Sequence, residues 1–120
     1  MEEAQLALFK AMLLERLDEL LGRAGSTVSE LLVDGDGMPD PLDRAGFERD
    51  RAALLRIRDR ESKLIGKIRT ALADIEAGEY GICEGCGEEI PVARMMARPV
   101  TRYCIGCKRR MEQREKLAGF

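Results

Sequence analysis

The fold is decided by two short segments, "CEGC" at residues 83–86 and "CIGC" at residues 104–107. In each segment two residues separate the cysteines, so one tight turn can present both sulfur atoms to the same metal ion. Seventeen residues lie between the two pairs, and this spacing is typical of structural zinc sites. The chain contains no histidine, which excludes a mixed cysteine–histidine site. We predict one structural Zn²⁺ closed by four thiolates. The predicted ligands are Cys83, Cys86, Cys104 and Cys107.

Other uses of the cysteine pairs stay open at the level of sequence. A redox pair of the thioredoxin kind requires a strand–helix–strand setting, which the pattern around the cysteines does not indicate. Disulfides are uncommon in a reducing compartment. A module of about 30 residues with few apolar side chains also requires a metal or a similar cross-link. Zinc is therefore favoured, and the alternative functions are a zinc ribbon that binds DNA or a thiol-redox-sensing zinc protein.

Two long helices are predicted ahead of the cysteine module, at residues 5–32 and at about 41–77. Apolar side chains recur along both at alternating steps of three and four residues, which is the pattern of a coiled-coil seam. A short loop between two such helices favours an antiparallel hairpin, because neither narrow apolar face is stable alone. The first seam consists of Leu6, Phe9, Leu13, Leu17, Leu20, Ala24 and Leu31, and it passes Thr27 between the last two. The second seam consists of Leu54, Ile57, Glu61, Leu64, Ile68, Ala71 and Ile75.

The predicted fold class is all-α with a small zinc module. Gly78 and Gly81 give a stop signal for the second helix, so we expect a domain boundary there. Residues 1–77 are predicted to form an antiparallel coiled-coil hairpin. Residues 78–120 are predicted to form a four-cysteine zinc finger followed by a C-terminal helix.

Composition limits the classes of function. Charged residues make up 35% of the chain and aromatic residues 4%, with a net charge of −2, which suits exposed helices better than a large core. A nearly neutral charge does not indicate a nucleic-acid binder. No apolar run approaches the roughly 20 residues that span a bilayer, and the acidic start lacks the features of a signal peptide. We expect a cytoplasmic protein that contacts neither a membrane nor specific DNA sequences.

The segment "DGDGMPDPLDRA", residues 34–45, separates the two helices and carries four aspartates. A calcium-binding EF-hand loop is excluded, because the positions that require an oxygen ligand and a glycine are Met38 and Pro39. A local explanation covers the end of the segment. Asp40 is predicted to cap the second helix, and Asp43 is predicted to lie near the positive end of the helix dipole.

Five segments are informative in combination: "PDPLDRA", "RDRESKLIGKI", "YGICEGCGEEI", "ARPVTRYCIGCK" and "EQREK". Together they resemble the DksA/TraR family of bacterial transcription factors, over roughly residues 30–117. The acidic motif, the four cysteines and the spacing between the pairs all coincide. The resemblance implies a factor that binds RNA polymerase through its secondary channel. It also implies that the coiled-coil tip, at residues 33–45 here, is inserted toward the polymerase active site to modulate initiation.

The resemblance also assigns site residues. The acidic residues and the alanine of the family's tip motif match Asp40, Asp43 and Ala45. In DksA proteins the alarmone guanosine tetraphosphate binds between polymerase and the junction of coiled coil and zinc domain. Such a polyphosphate requires several converging cations. The matching positions are Arg60, Lys63, Leu64, Lys67, Arg98 and Lys108.

Arg56, Arg60, Lys63 and Lys67 recur at steps of four, three and four residues and form a basic face of the second helix. Two interpretations of this basic face remain. Without the resemblance it would be a solvated face that pairs with the acidic first helix. The short amino end is similar to members related to TraR, which act without the alarmone, whereas retention of the matching cations favours a response. The resemblance therefore implies a non-enzymatic monomer whose partners are RNA polymerase and guanosine tetraphosphate at the polymerase interface.

Overall fold

The computed structural model describes residues 1–31 and 40–119, and within these residues the chain forms four helices and no β-strand. The helices are α1 (Glu3–Leu31), α2 (Pro41–Ala77), α3 (Val92–Ala97) and α4 (Ile105–Leu117). The predicted all-α class with a small cysteine module is confirmed, and α2 has the predicted bounds. The short helix α3, between the cysteine pairs, was not predicted, because six residues are too few to show a periodic apolar pattern.

The chain folds as two compact units. The first unit consists of Met1–Leu13 and Arg69–Phe120, and the second consists of Leu14–Ile68. The first unit therefore contains the cysteine module together with the beginning of α1 and the end of α2. The domain boundary predicted at residues 77 and 78 stays a prediction.

The core of the first unit joins parts of the chain that are distant in sequence. The ring centroids of Phe9 and Tyr80 are 5.4 Å apart with an interplanar angle of 55°, a geometry in which aromatic pairs attract beyond their burial alone. Lys10 Nζ lies 2.9 Å from Glu76 Oε1, which brings the beginning of α1 to the end of α2, as an antiparallel hairpin requires. The buried apolar side chains of this core include Phe9, Leu13, Ala71, Tyr80, Ile90 and Met95.

The second unit contains the remaining part of the predicted seams. Leu20 and Ile68 are buried as predicted. Ile57 is 37% exposed, so its prediction as a buried seam residue is wrong. A straight α-helix drifts by about 20° per heptad relative to a 3.5-residue repeat, which turns some positions of a regular pattern away from the interface. The side chain of Leu31 lies outside the residues described.

The end of α2 directs the chain into the core of the first unit. Gly78 has a φ of 74°, and its N–H donates to the carbonyl of Ile75 at 3.2 Å. The N–H of Glu79 donates to the carbonyl of Asp74 at 2.8 Å. These two bonds form a Schellman motif, which requires a left-handed residue at the position of the glycine. The predicted helix stop is confirmed, and Tyr80, two residues after Gly78, is buried.

Candidate metal centre and acidic helix start

The four cysteines converge on one point. Their Sγ atoms all lie within 4.8 Å of one another, and none of the four is in a disulfide. The Sγ atoms of Cys86 and Cys104 are 3.9 Å apart. A tetrahedral Zn²⁺ with bonds of about 2.3 Å to sulfur requires sulfur–sulfur distances of about 3.8 Å. The predicted ligand set therefore fits one zinc ion with little movement.

The first cysteine pair lies on a tight turn that depends on two glycines. The N–H of Gly87 donates to the carbonyl of Cys83 at 2.9 Å, and Gly87 has a φ of 75°, which disfavours other residues. At Gly85 the constraint is a close approach: a Cβ placed there would lie 3.0 Å from the Sγ of Cys107. A side chain at Gly85 would therefore push one cysteine pair away from the other.

The second cysteine pair starts α4. Cys104 is the N-cap residue, and its Sγ accepts a hydrogen bond from the backbone N–H of Cys107 at 3.4 Å. The N–H of Cys104 in turn donates to the Sγ of Cys83 at 3.3 Å. The positive end of a helix dipole stabilises negative charge. Thiolates are the form of cysteine that binds zinc, so this end of α4 suits a site built from thiolates.

The thiol pKa values show how strongly the four groups interact. Burial raises the pKa of Cys83, but hydrogen bonds from the backbone of Cys104, Cys86 and Gly85 outweigh it and lower the pKa to about 6. Hydrogen bonds with the side chains of Cys104 and Cys83 raise the pKa of Cys107 to about 12. Four thiolates at such distances repel one another, so full ionisation requires a cation between them.

Two arginines that the sequence analysis did not single out hold the cysteine pairs in place. Nε of Arg102 lies 3.4 Å from Oδ2 of Asp74, which is on α2. Nη1 of Arg102 lies 3.4 Å from Oε2 of Glu84, which lies inside the first cysteine pair. Arg94 of α3 donates from Nε to the carbonyl of Tyr103, next to Cys104, at 3.0 Å. No spacing rule connects residues so far apart along the chain, so sequence alone gave no signal for either contact.

A buried tyrosine fixes the segment between the cysteine pairs to the helical core. The hydroxyl of Tyr80 donates to the carbonyl of Pro99 at 2.7 Å. Burial raises the pKa of Tyr80 to about 12. The uncharged hydroxyl is therefore the form that the folded unit stabilises.

The predicted cap of α2 is confirmed. The N–H of Leu42 donates to Oδ1 of Asp40 at 2.9 Å, and Pro41 is the first helical residue. Asp43 lies in the first turn of α2, and Asp40, Asp43 and Ala45 are all exposed. The preceding "DGDGMP" segment, which is part of the predicted tip, lies outside the described residues. The role of these three residues toward polymerase stays a prediction.

The residues assigned to the alarmone are divided between the two units. Arg60, Lys63, Leu64 and Lys67 lie on α2 in the second unit, and Arg98 and Lys108 lie in the first. Lys63 Nζ pairs with Oδ2 of Asp59 at 3.0 Å along the same helix. Arg60, Lys67 and Arg98 are exposed. Convergence of the six residues on one ligand stays a prediction.

These features define a class of protein in which a helical hairpin is joined to a four-cysteine zinc module. Residues 5–75 match the family described as "DnaK suppressor protein DksA, N-terminal domain". Residues 78–113 match the "Prokaryotic dksA/traR C4-type zinc finger". The chain therefore belongs to the DksA/TraR family, which confirms the resemblance found in the sequence.

Individual relatives cover almost the whole chain. The chain is 43% identical to the RNA polymerase-binding transcription factor DksA of Escherichia coli over 120 residues, which are 99% of this chain and 80% of that protein. It is 44% identical over 117 residues to DksA of Caulobacter vibrioides, with coverage of 98% and 82%. Transcription factor DksA2 from Pseudomonas aeruginosa has a similar structure, with a TM-score of 0.85 at 39% identity, covering 97% of this chain and 89% of that one.

The family match and the geometry of the four cysteines together identify the metal. The matched zinc finger is of the four-cysteine type, and the four sulfur atoms are close enough for one ion. The cofactor is one structural Zn²⁺, as predicted. Among the helices of residues 1–31 and 40–119, none is long and apolar enough to cross a bilayer.

Proposed function

We propose that this chain is a bacterial transcription factor that binds RNA polymerase and modulates initiation without catalysing a reaction. The observation that carries the proposal is the alignment with DksA of Escherichia coli across 99% of the chain, because it includes both the hairpin and the zinc module. That relative and the one from Caulobacter vibrioides are both named for polymerase binding. We propose further that the protein acts as a monomer in the cytoplasm, without reading a DNA sequence directly.

The start of α2 is proposed to act near the polymerase active site, reached through the secondary channel. Asp40 uses one carboxylate oxygen to cap the helix, which fixes the position of the first turn. Asp43 in that turn and Ala45 just after it are both exposed. In this proposal Asp43 contacts basic groups or catalytic-loop elements of polymerase, while Asp40 both caps the helix and contributes a second carboxylate. The support is the family resemblance together with the exposure of these residues.

Guanosine tetraphosphate is proposed to act with the factor at the polymerase interface. The resemblance assigns it four positions on α2 and two in the cysteine module, and the exposed cations Arg60, Lys67 and Arg98 suit phosphate oxygens. Lys67→Ala or Arg98→Ala should weaken the response to the alarmone and leave polymerase binding largely intact. Loss of one such charged contact costs on the order of 1.5–3 kcal/mol. If both variants respond like the parent, the alarmone assignment is wrong.

The proposed function is tested by a pull-down with purified RNA polymerase, followed by transcription from an rRNA-type promoter. We expect the zinc-loaded protein to bind polymerase and to reduce transcription from that promoter. Absence of both effects would contradict the proposal. A salt-sensitive shift of duplex DNA without polymerase would favour the zinc-ribbon alternative. Reversible disulfide formation with release of zinc, followed by thiol titration, would favour the redox-sensing alternative.

A further inference from the structure

The zinc centre has a charged neighbour that neither the ligand spacing nor the family motifs identified. The Nη2 atom of Arg110 lies 3.0 Å from the Sγ of Cys107 and donates a hydrogen bond to it. Both residues are on α4, three positions apart, so the helix itself places the guanidinium beside the sulfur. This contact is independent of the proposed binding to polymerase.

The charge of the site gives this contact a physical role. One Zn²⁺ and four thiolates carry a net charge of about −2. Cys83 and Cys104 each accept a hydrogen bond from a backbone amide, at 3.3 and 3.4 Å. Cys107 accepts its hydrogen bond from a guanidinium. A donor that carries a full positive charge forms a stronger hydrogen bond than a neutral amide, and it offsets part of the excess negative charge.

We propose that Arg110 is a charge-balancing residue of the zinc centre, which reduces the nucleophilicity of the Cys107 thiolate and slows the loss of zinc to electrophiles. The hydrogen bond engages a sulfur lone pair that would otherwise attack an electrophile. With iodoacetamide, the sulfur of Cys107 forms a bond to the methylene carbon, the carbon–iodine bond breaks, and iodide leaves with the electron pair. The resulting thioether is uncharged and binds zinc weakly, so the ion is released.

The test compares the zinc-loaded full chain with Arg110→Met, which has a similar length but no donor and no charge. Zinc release under excess iodoacetamide is followed with a chromogenic chelator, and mass spectrometry identifies the first cysteine to be alkylated. Substitutions next to metal ligands change metal affinity or activity by about 10- to 100-fold. Because Arg110 is exposed and therefore screened by salt, we expect faster release toward the lower end of that range. In Arg110→Met, a larger fraction of chains than in the parent should also be alkylated first at Cys107 rather than at Cys86.

Arg109→Met is the matched control, because Arg109 is exposed on the same helix and its loss removes the same charge. It should release zinc like the parent. Arg110→Lys retains a cation and should lie between the parent and Arg110→Met. Zinc content and circular dichroism confirm that each variant is loaded and folded before the reaction is started.

A second measurement needs no variant to fold. Raising the salt concentration should speed the release of zinc from the parent, because it screens the pair formed by Arg110 and Cys107. Equal rates for the two methionine variants would overturn the proposal, and so would a lysine variant that behaves like Arg110→Met. A parent whose rate does not depend on salt would also contradict it.

Discussion

The two units of this protein are stabilised by different kinds of contact. In the first unit, ion pairs and hydrogen bonds join residues far apart in sequence, such as Arg102 with Asp74 and Tyr80 with Pro99. In the second unit, the ion pairs of Arg16 with Glu19 and Lys63 with Asp59 lie within single helices. Of the ten buried apolar side chains among the described residues, eight belong to the first unit.

The difference shows where the metal matters. The cysteine module has few apolar side chains of its own, so the arrangement of its turns depends on a cross-link between the cysteine pairs. The second unit is stabilised by helix formation and by packing along a narrow apolar seam. Neither contribution depends on the zinc ion bound in the first unit. We therefore expect changes at the zinc centre to affect the first unit strongly and the second unit weakly.

Loss of a zinc ligand should have the largest effect. Cys104→Ser removes a thiolate and the sulfur cap of α4, and structural zinc contributes about 10–16 kcal/mol of binding energy to folding in small zinc peptides. Zinc content should fall well below one ion per chain. Hydrogen exchange followed by mass spectrometry should show faster exchange across residues 79–118, with protection retained in the helical parts of the second unit, residues 14–31 and 41–68. Equal loss of protection in both units would contradict this difference between them.

A substitution in the seam of the second unit should raise the stability of the protein, whereas the loss of a zinc ligand lowers it. Oε2 of Glu61 is buried and has no hydrogen-bond partner among the described residues. An unsatisfied buried polar group costs about 1–3 kcal/mol, so Glu61→Leu should stabilise the protein by an amount in that range. Thermal unfolding followed by circular dichroism measures it. Glu48→Leu, at an exposed position of the same helix, is the control, and an equal or greater Tm increase in the control would contradict the explanation.

A smaller effect is expected where the cysteine module meets the helical core. Tyr80→Phe removes the hydrogen bond to the carbonyl of Pro99 and should destabilise the first unit by about 0.5–1.5 kcal/mol. Burial raises the pKa of Tyr80 to about 12. The contribution of Tyr80 to the stability of the first unit is therefore complete below the ordinary tyrosine pKa of about 10. It is lost as the pH rises through about 12.

The pH dependence separates the tyrosine from other titrating groups. The stability difference between the parent and Tyr80→Phe should be constant between pH 7 and 9 and should shrink above about pH 10. Chemical unfolding at a series of pH values, with hydrogen exchange to localise the change, measures this difference. A difference that grows with pH would show that Tyr80 ionises more readily in the folded state than in the unfolded state.

The smallest effect on stability is expected at the start of α2. In the variant that combines Asp40→Asn with Asp43→Asn, asparagine retains a good N-cap, and loss of the dipole interaction costs about 0.3–1 kcal/mol. The Tm should therefore change little. If the proposed function is correct, inhibition of transcription should be largely lost while polymerase binding persists. Full inhibition by this variant would mean that the aspartates only start the helix.

Much of the fold was predictable from short-range patterns. The bounds of α2 follow from its proline, its cap and its glycine stop, all of which act within a few residues. The metal ligands follow from the spacing of the cysteines. The exposure of Ile57 was not predictable, because a regular seam pattern does not show at which positions the drift of a straight helix turns a side chain away from the interface. Helix α3 was missed because a six-residue helix depends on its surroundings for stability.

The zinc ligands, the two long helices, the cap at Asp40 and the membership in the DksA/TraR family all follow from the amino-acid sequence alone. Each depends on residue types at fixed separations, and such local patterns are present before the chain folds. The folded chain was needed to show that Gly85 must leave room for Cys107, and that Arg102 joins Asp74 to Glu84. The physical reason is that these contacts join residues about 20–30 positions apart, which packing alone brings together.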